Sequence, residues 1–162
     1  MNKIKLLFLD VDGTLTDGKI YMGNEGEVFK AFDVKDGCGI HDILPKHNII
    51  PVIITARNSE ILKRRCEELK IVHLYQGCRN KKEKMIEVAY LFGLTCNENE
   101  VIEQTAYMGD DIVDLQSMEI AEIKGCPRDA VEEVIKVSDF VSKYKGGNGA
   151  VREFIEWIVK MN

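Results

Sequence analysis

Residues Ile4 to Thr14 read Ile-Lys-Leu-Leu-Phe-Leu-Asp-Val-Asp-Gly-Thr, and this stretch limits the fold more than any other. Leu6 to Leu9 form an apolar run of strand length that a core can take in. Two acids at its tip, Asp10 and Asp12, cannot be buried without a partner. Side chains two apart on an extended chain point the same way, so the two carboxylates share one small volume and repel. A cation or a proton between them removes that cost, and the stretch reads as a site. Asp-Gly after a strand is also ordinary turn chemistry, which is the competing reading of the fragment alone. A calcium-binding loop does not fit: it needs a glycine at its sixth position and an acid at its twelfth, where this chain has Leu15 and Tyr21.

Further along, runs of strand length alternate with helical stretches. Strands are expected at Ile49–Thr55, Ile71–Tyr75, Thr105–Met108, Ala121–Lys124 and Phe140–Val141. Helices are expected from Asp36 to about Lys46 and from a cap at Asn58 or Ser59 to Leu69. Others are expected over Lys81–Phe92 with Gly93 as the stop, Leu115–Met118, Asp129–Val137 and Val151–Met161. Lys19–Met22 and Val28–Phe32 flank Gly23-Asn24-Glu25-Gly26 as a hairpin, protruding over about residues 17–32. Gly146-Gly147-Asn148-Gly149 reads as a mobile loop. The alternation predicts an α/β three-layer sandwich with a central, mostly parallel sheet, and 162 residues suit a single domain, 1–162.

In such sheets ligands sit outside the carboxyl ends of the strands. Asp10 and Asp12, Thr55, and Asp110 with Asp111 each follow a separate predicted strand, so all meet at one edge, with Lys81 at a helix start. Nearby carboxylates want a hard cation, and Mg²⁺ takes oxygen ligands while keeping several waters. A carboxylate-bound Mg²⁺ is most useful beside a phosphate. Thr55 offers a hydroxyl donor, Lys81 a positive charge, and the backbone N–H groups of Val11 to Gly13 a cradle for phosphate oxygens. These parts suit phosphoryl transfer: Asp10 attacks phosphorus to form an aspartyl-phosphate, and Asp12 moves the proton. Asp111 and Asp114 either cap a helix start or hold the metal ligand from behind.

The formal net charge of −5 gives no reason to expect a nucleic-acid partner. Five scattered cysteines without pairing or metal-ligand spacing point to reduced thiols. The apolar run before Asp10 is too short for a signal segment and nothing approaches a membrane span, so no membrane is involved and the expected place is the cytoplasm.

Asp10-Val11-Asp12-Gly13-Thr14, Thr55, Lys81 and Gly109-Asp110-Asp111-Ile112-Val113-Asp114 resemble the four motifs of the haloacid dehalogenase superfamily. Tyr21-Met22-Gly23-Asn24, Asp33-Val34-Lys35-Asp36-Gly37, His73-Leu74-Tyr75-Gln76-Gly77 and Gly149-Ala150-Val151-Arg152-Glu153 narrow the resemblance to its 3-deoxy-D-manno-octulosonate (Kdo) 8-phosphate phosphatases. The resemblance implies a capless Rossmann-like hydrolase of lipopolysaccharide precursor synthesis, with Mg²⁺ held by the Asp10 and Asp110 carboxylates and the Asp12 backbone carbonyl. It implies contacts with a sugar-phosphate substrate from Asp12, Asp33, Val34, Lys35, Asp36, Gly37, His41, Arg57, Arg65 and Lys81. It also implies a homotetramer in which the hairpin and the C-terminal tail complete a neighbour's site. Three positions depart from the family pattern: Ala56 stands for a glycine, and His41 and Asn148 stand for arginines.

Three other readings compete, the first of them also a phosphatase. A related branch acts on nine-carbon ulosonic acid 9-phosphates and carries glutamate where Arg57 stands. Similar domains are fused to sugar cytidylyltransferases, so a non-catalytic tetramerising partner is a rival; retention of Asp10, Asp12, Lys81 and Asp110 together argues against it. A signalling receiver domain also uses Asp, Thr and Lys at strand ends, but its phosphorylated acid lies on a mid-chain strand.

Overall fold

The computed structural model of the chain describes residues 3–97 and 100–161. In chain order the elements are β1 (Leu6–Leu9), β2 (Tyr21–Gly23), β3 (Gly26–Phe29), α1 (Val34–Cys38), β4 (Ile50–Ile54), α2 (Glu60–Glu68), β5 (His73–Tyr75) and α3 (Lys81–Leu91). They continue with β6 (Ile102–Met108), α4 (Leu115–Ile120), β7 (Ala121–Cys126), α5 (Glu132–Val137), β8 (Phe140–Val141) and α6 (Ala150–Met161). Six strands form one sheet in the order β5-β4-β1-β6-β7-β8, and every ladder in it is parallel. The hairpin β2–β3 is a separate antiparallel pair.

β1 is central and wholly buried, and its alternation feeds two cores. Leu7 and Leu9 pack with Ile53, with Leu62 and Cys66 of α2, and with Phe154 and Ile158 of α6. Leu6 and Phe8 pack with Val52 and Ile54, with Met85 and Val88 of α3, Met118 of α4 and Val134 of α5. The three-layer α/β sandwich is therefore as the apolar pattern predicts.

Several boundaries move for local reasons. The helix expected to open at Asp36 starts at Val34, because the Asp33 side chain accepts the backbone N–H groups of Lys35 and Asp36. It passes through a π-helical turn over Gly39–Ile43 and a 3-10 turn over Leu44–His47, ending at Asn48 with φ 57°. β6 begins three residues earlier than predicted, with Gln104 at φ 64° and an irregular register against β7. The stretch expected to be a mobile loop, 146–149, is held instead. Gly146 N–H donates to Asp129 Oδ1 at 2.9 Å, Gly147 N–H to Thr14 O at 3.0 Å and Gly149 N–H to Asp36 Oδ2 at 3.3 Å. A Cβ on Gly146 would lie 1.8 Å from Gly13 O, so its glycine serves close approach of two backbones rather than flexibility.

Candidate active site

The register aligns the strand tips. Leu9 pairs with Ile53 on one side and with Met108 on the other, so Asp10, Thr55 and Asp110 all follow within two residues of paired positions. Asp10 N–H extends the ladder to Met108 O at 3.0 Å. The chain then winds tightly, with the N–H groups of Thr14, Leu15 and Thr16 all donating to Val11 O. Gly13 has φ +100°, and a Cβ there would fall 1.9 Å from Asp110 Oδ2. Only glycine lets Asp110 come that close. Thr14 Oγ1 holds the same carboxylate by donating to its Oδ1 at 3.0 Å.

Lys81, capped into place as the first residue of α3 by Asn80, is 3% exposed. Its Nζ donates to Asp10 Oδ1 at 2.6 Å and to Asp114 Oδ1 at 2.8 Å. Asp114 is wholly buried. Its Oδ1 also accepts the Tyr107 hydroxyl at 2.8 Å, and its Oδ2 accepts the N–H groups of Asp110 at 3.1 Å and Asp111 at 3.3 Å. Four donors occupy this carboxylate, so Asp114 positions Lys81 and the Asp110 turn. A Cβ on Gly109 would meet its Cγ at 2.4 Å. Asp111 caps the short 3-10 turn, accepting from Ile112 N–H at 2.7 Å.

Carboxylate oxygens of Asp10, Asp110 and Asp114 all lie within 4.8 Å of one another. Burial pushes the Asp10 carboxyl up to about 6, and the Asp114 charge adds to this while Lys81 opposes it. Burial likewise pushes Asp110 up to about 8, with the charges of Asp10 and then Asp114 adding to it. One ammonium is too little positive charge for three carboxylates in a space this dry. Since Asp114 is fully engaged, Asp10 and Asp110 are the pair left wanting a cation. An all-oxygen donor set fits a hard divalent ion.

The Asp12 carboxylate takes no part in that cluster. It pairs with Lys30 Nζ at 2.5 Å, and Arg57 Nε lies 3.8 Å away. Thr55 is 2% exposed at the end of β4, where its hydroxyl accepts Arg57 N–H at 3.4 Å. The structure brings Asp10, Lys81, Asp110 and Asp114 together, while Asp12 and Thr55 stand just past the tips of the adjacent strands β1 and β4.

The other predicted contacts divide. Asp33 caps α1 and pairs with Lys35 Nζ at 2.8 Å. Asp36 is buried under the start of α6, accepting Gly149 N–H at 3.3 Å and Arg152 N–H at 2.8 Å, and burial raises its carboxyl to about 6. Its carboxylate is thus a long-range helix cap. Gly37 backs onto Arg65, whose Nη2 would meet a Cβ there at 2.4 Å. Arg65 bonds Glu68 at 2.8 Å and lies over the Phe32 ring. His41 pairs with Asp42, and Val34 is exposed. Val34, Gly37, His41 and Arg65 line one open groove of about 330 Å³.

Sequence reasoning passed over Lys30, Glu27 and Tyr107, and named Ser59 only as a candidate cap of α2, the place it takes. A lysine and a glutamate in a hairpin read as solvated charges. Tyr107 carried a usable signal, because a tyrosine inside a strand predicted to be buried needs a partner for its hydroxyl.

No protein-family model matches the chain. It is 42% identical over 156 residues to the 3-deoxy-D-manno-octulosonate 8-phosphate phosphatase KdsC of Salmonella typhi, covering 96% of this chain and 79% of the relative. The crystal structure of the 3-deoxy-D-manno-octulosonate 8-phosphate phosphatase from Yersinia pestis superposes with TM-score 0.89 at 39% identity, over 98% of this chain and 82% of that one. The same enzyme from Moraxella catarrhalis, in complex with magnesium ion, phosphate ion and a KDO molecule, gives TM-score 0.89 at 39% identity, over 98% and 87%. Identity of this order along nearly the whole chain, together with the strand-tip constellation, shows that the chain belongs to the Kdo 8-phosphate phosphatase family of the haloacid dehalogenase (HAD) superfamily.

Proposed function

We propose that the protein is a Mg²⁺-dependent phosphomonoesterase that hydrolyses Kdo 8-phosphate to Kdo and phosphate through an aspartyl-phosphate on Asp10. The observation that carries this is Lys81 bonded to Asp10 at 2.6 Å, with the Asp110 carboxylate in the same dry cluster. A carboxylate so held has its attacking oxygen fixed and its charge partly offset. When bound at Asp10, Asp110 and the Asp12 carbonyl, Mg²⁺ neutralises the charge of the incoming phosphate.

Asp10 forms a bond to phosphorus as the bond to the sugar oxygen breaks, and Asp12 gives that oxygen its proton. Water then attacks phosphorus while Asp12 takes its proton, the bond to Asp10 breaks, and phosphate leaves. Acid–base help of this kind contributes about 10²–10⁴-fold. Lys81 holds Asp10 between the two steps, and Thr55 faces the phosphate as a hydroxyl donor. The groove by Arg65 and His41 receives the sugar, where a guanidinium suits its carboxylate.

The magnesium and KDO found with the Moraxella catarrhalis relative support this metal and this sugar. A homotetramer is part of the proposal, supported by the bare apolar side chains of the hairpin: Met22 is 63% exposed, Val28 59% and Phe29 50%. None of the described helices is long and apolar enough to cross a membrane. Five cysteines scattered without pairing or metal-ligand spacing are the ground for a cytoplasmic place. A phosphate-release screen over Kdo 8-phosphate and nine-carbon ulosonic acid 9-phosphates, with Mg²⁺ and with chelator, tests the reading. We expect the highest kcat/KM for the eight-carbon ester and none with chelator; preference for a nine-carbon ester, or turnover that survives chelation, overturns it.

A further inference from the structure

We propose that Lys30 is a positioning residue for Asp12, through which the hairpin sets the orientation of the group that moves the proton. This rests on the acid–base role given to Asp12 above. Lys30 lies just past β3 on a hairpin whose Val28 and Phe29 are half exposed or more, yet its own side chain is 2% exposed. Its Nζ sits 2.5 Å from Asp12 Oδ1 and 3.0 Å from Glu27 Oε1. The other Glu27 oxygen accepts the Ser59 hydroxyl at 2.5 Å. Ser59 is in turn fixed twice: its hydroxyl caps α2 by accepting Leu62 N–H at 3.3 Å, and its own N–H donates to Gln76 Oε1 at 2.7 Å.

Asp12 is thus tied through Lys30, Glu27 and Ser59 to the loops that follow β4 and β5. Taking an ammonium out of water between two carboxylates is unfavourable unless its geometry returns the cost. A surface hairpin has no need of such a cluster for its own folding. Placed here, it fixes the free rotor of an aspartate whose reach to a leaving oxygen or a water decides its use. A misplacement of about 1 Å in a catalytic group costs up to roughly 10²-fold.

Leaving-group dependence separates positioning from mere stability. An aryl phosphate releases a phenolate that needs no proton, so phosphorylation of Asp10 by it does not depend on Asp12, whereas hydrolysis of the aspartyl-phosphate does. With Lys30→Met we expect a burst of phenolate approaching one per active site, then steady turnover slowed about 10- to 100-fold, and partial recovery in Lys30→Arg. Glu27→Gln, which loosens Lys30 without removing it, gives the same burst with a smaller loss and decides the matter if Lys30→Met does not fold. Steady rates equal to wild type, or burst and steady rates that fall together, overturn the assignment. A wild type that turns over neither ester overturns the phosphatase reading, and this assignment with it.

Discussion

Replacing Asp110 by asparagine tests whether the buried acids are held in want of a cation. The asparagine oxygen keeps the bond from Thr14 Oγ1, 3.0 Å from Asp110 Oδ1 in the parent, and its amide turns a donor toward Asp10. The parent carboxyl is raised to about 8, by burial first and then by Asp10 and Asp114. A raised folded-state value means stability fully present below the unfolded value near 4 and lost as pH climbs through about 8. At roughly 1.4 kcal/mol per pH unit the whole rise amounts to about 6 kcal/mol, an upper limit because relaxation and water relieve buried charge. A realised loss of about 1–3 kcal/mol at about 2–4 °C each for a domain of this size puts asparagine about 2–12 °C above wild type in chelator near pH 8. Neutral asparagine has no such loss, so the gap closes as pH falls toward about 4. Scanning calorimetry across this range, in chelator and then in excess Mg²⁺, reads the effect. Saturating Mg²⁺ raises the wild-type Tm by mass action and moves the variant little. A variant no more stable than wild type in chelator near pH 8 refutes the reasoning.

Tyr107→Phe removes one of the four donors to Asp114, bonded at 2.8 Å in a fully buried setting. We expect about 1–2 kcal/mol less stability in urea unfolding and a drop in kcat larger than any change in KM, since Lys81 shares the same oxygen. Gly146→Ala places a methyl 1.8 Å from Gly13 O, so the loop carrying Asp12 must shift. Phosphate release should fall at least about tenfold, with far-UV circular dichroism unchanged.

The central architecture was legible because each buried strand is a short apolar run and each site acid stands where such a run stops. Asp10, Thr55 and Asp110 could be placed together from strand ends alone, since a parallel sheet puts those ends on one edge. The register then brings Leu9 opposite both Ile53 and Met108. What the sequence concealed depends on contacts far apart in the chain. Asp36, in a stretch that resembles a substrate-binding motif, turns its carboxylate to Gly149 and Arg152, 113 and 116 residues away. Gly146 and Gly147 read as slack because composition cannot tell a glycine needed for freedom from one needed for proximity. Nothing local in the sequence shows that Asp12 and Glu27 close over Lys30. Asp114 was seen as cap or support, and its four donors make it the support of Lys81.

Rapid acid quench of the protein mixed with Kdo 8-phosphate and Mg²⁺, followed by mass analysis of its peptides, tests the proposed chemistry most directly. Phosphate should be found on the peptide containing Asp10, discharged by hydroxylamine as an acyl phosphate is, and missing in Asp10→Asn. Steady release of phosphate with no modified Asp10 peptide at any quench time, or undiminished release by Asp10→Asn, would contradict the account.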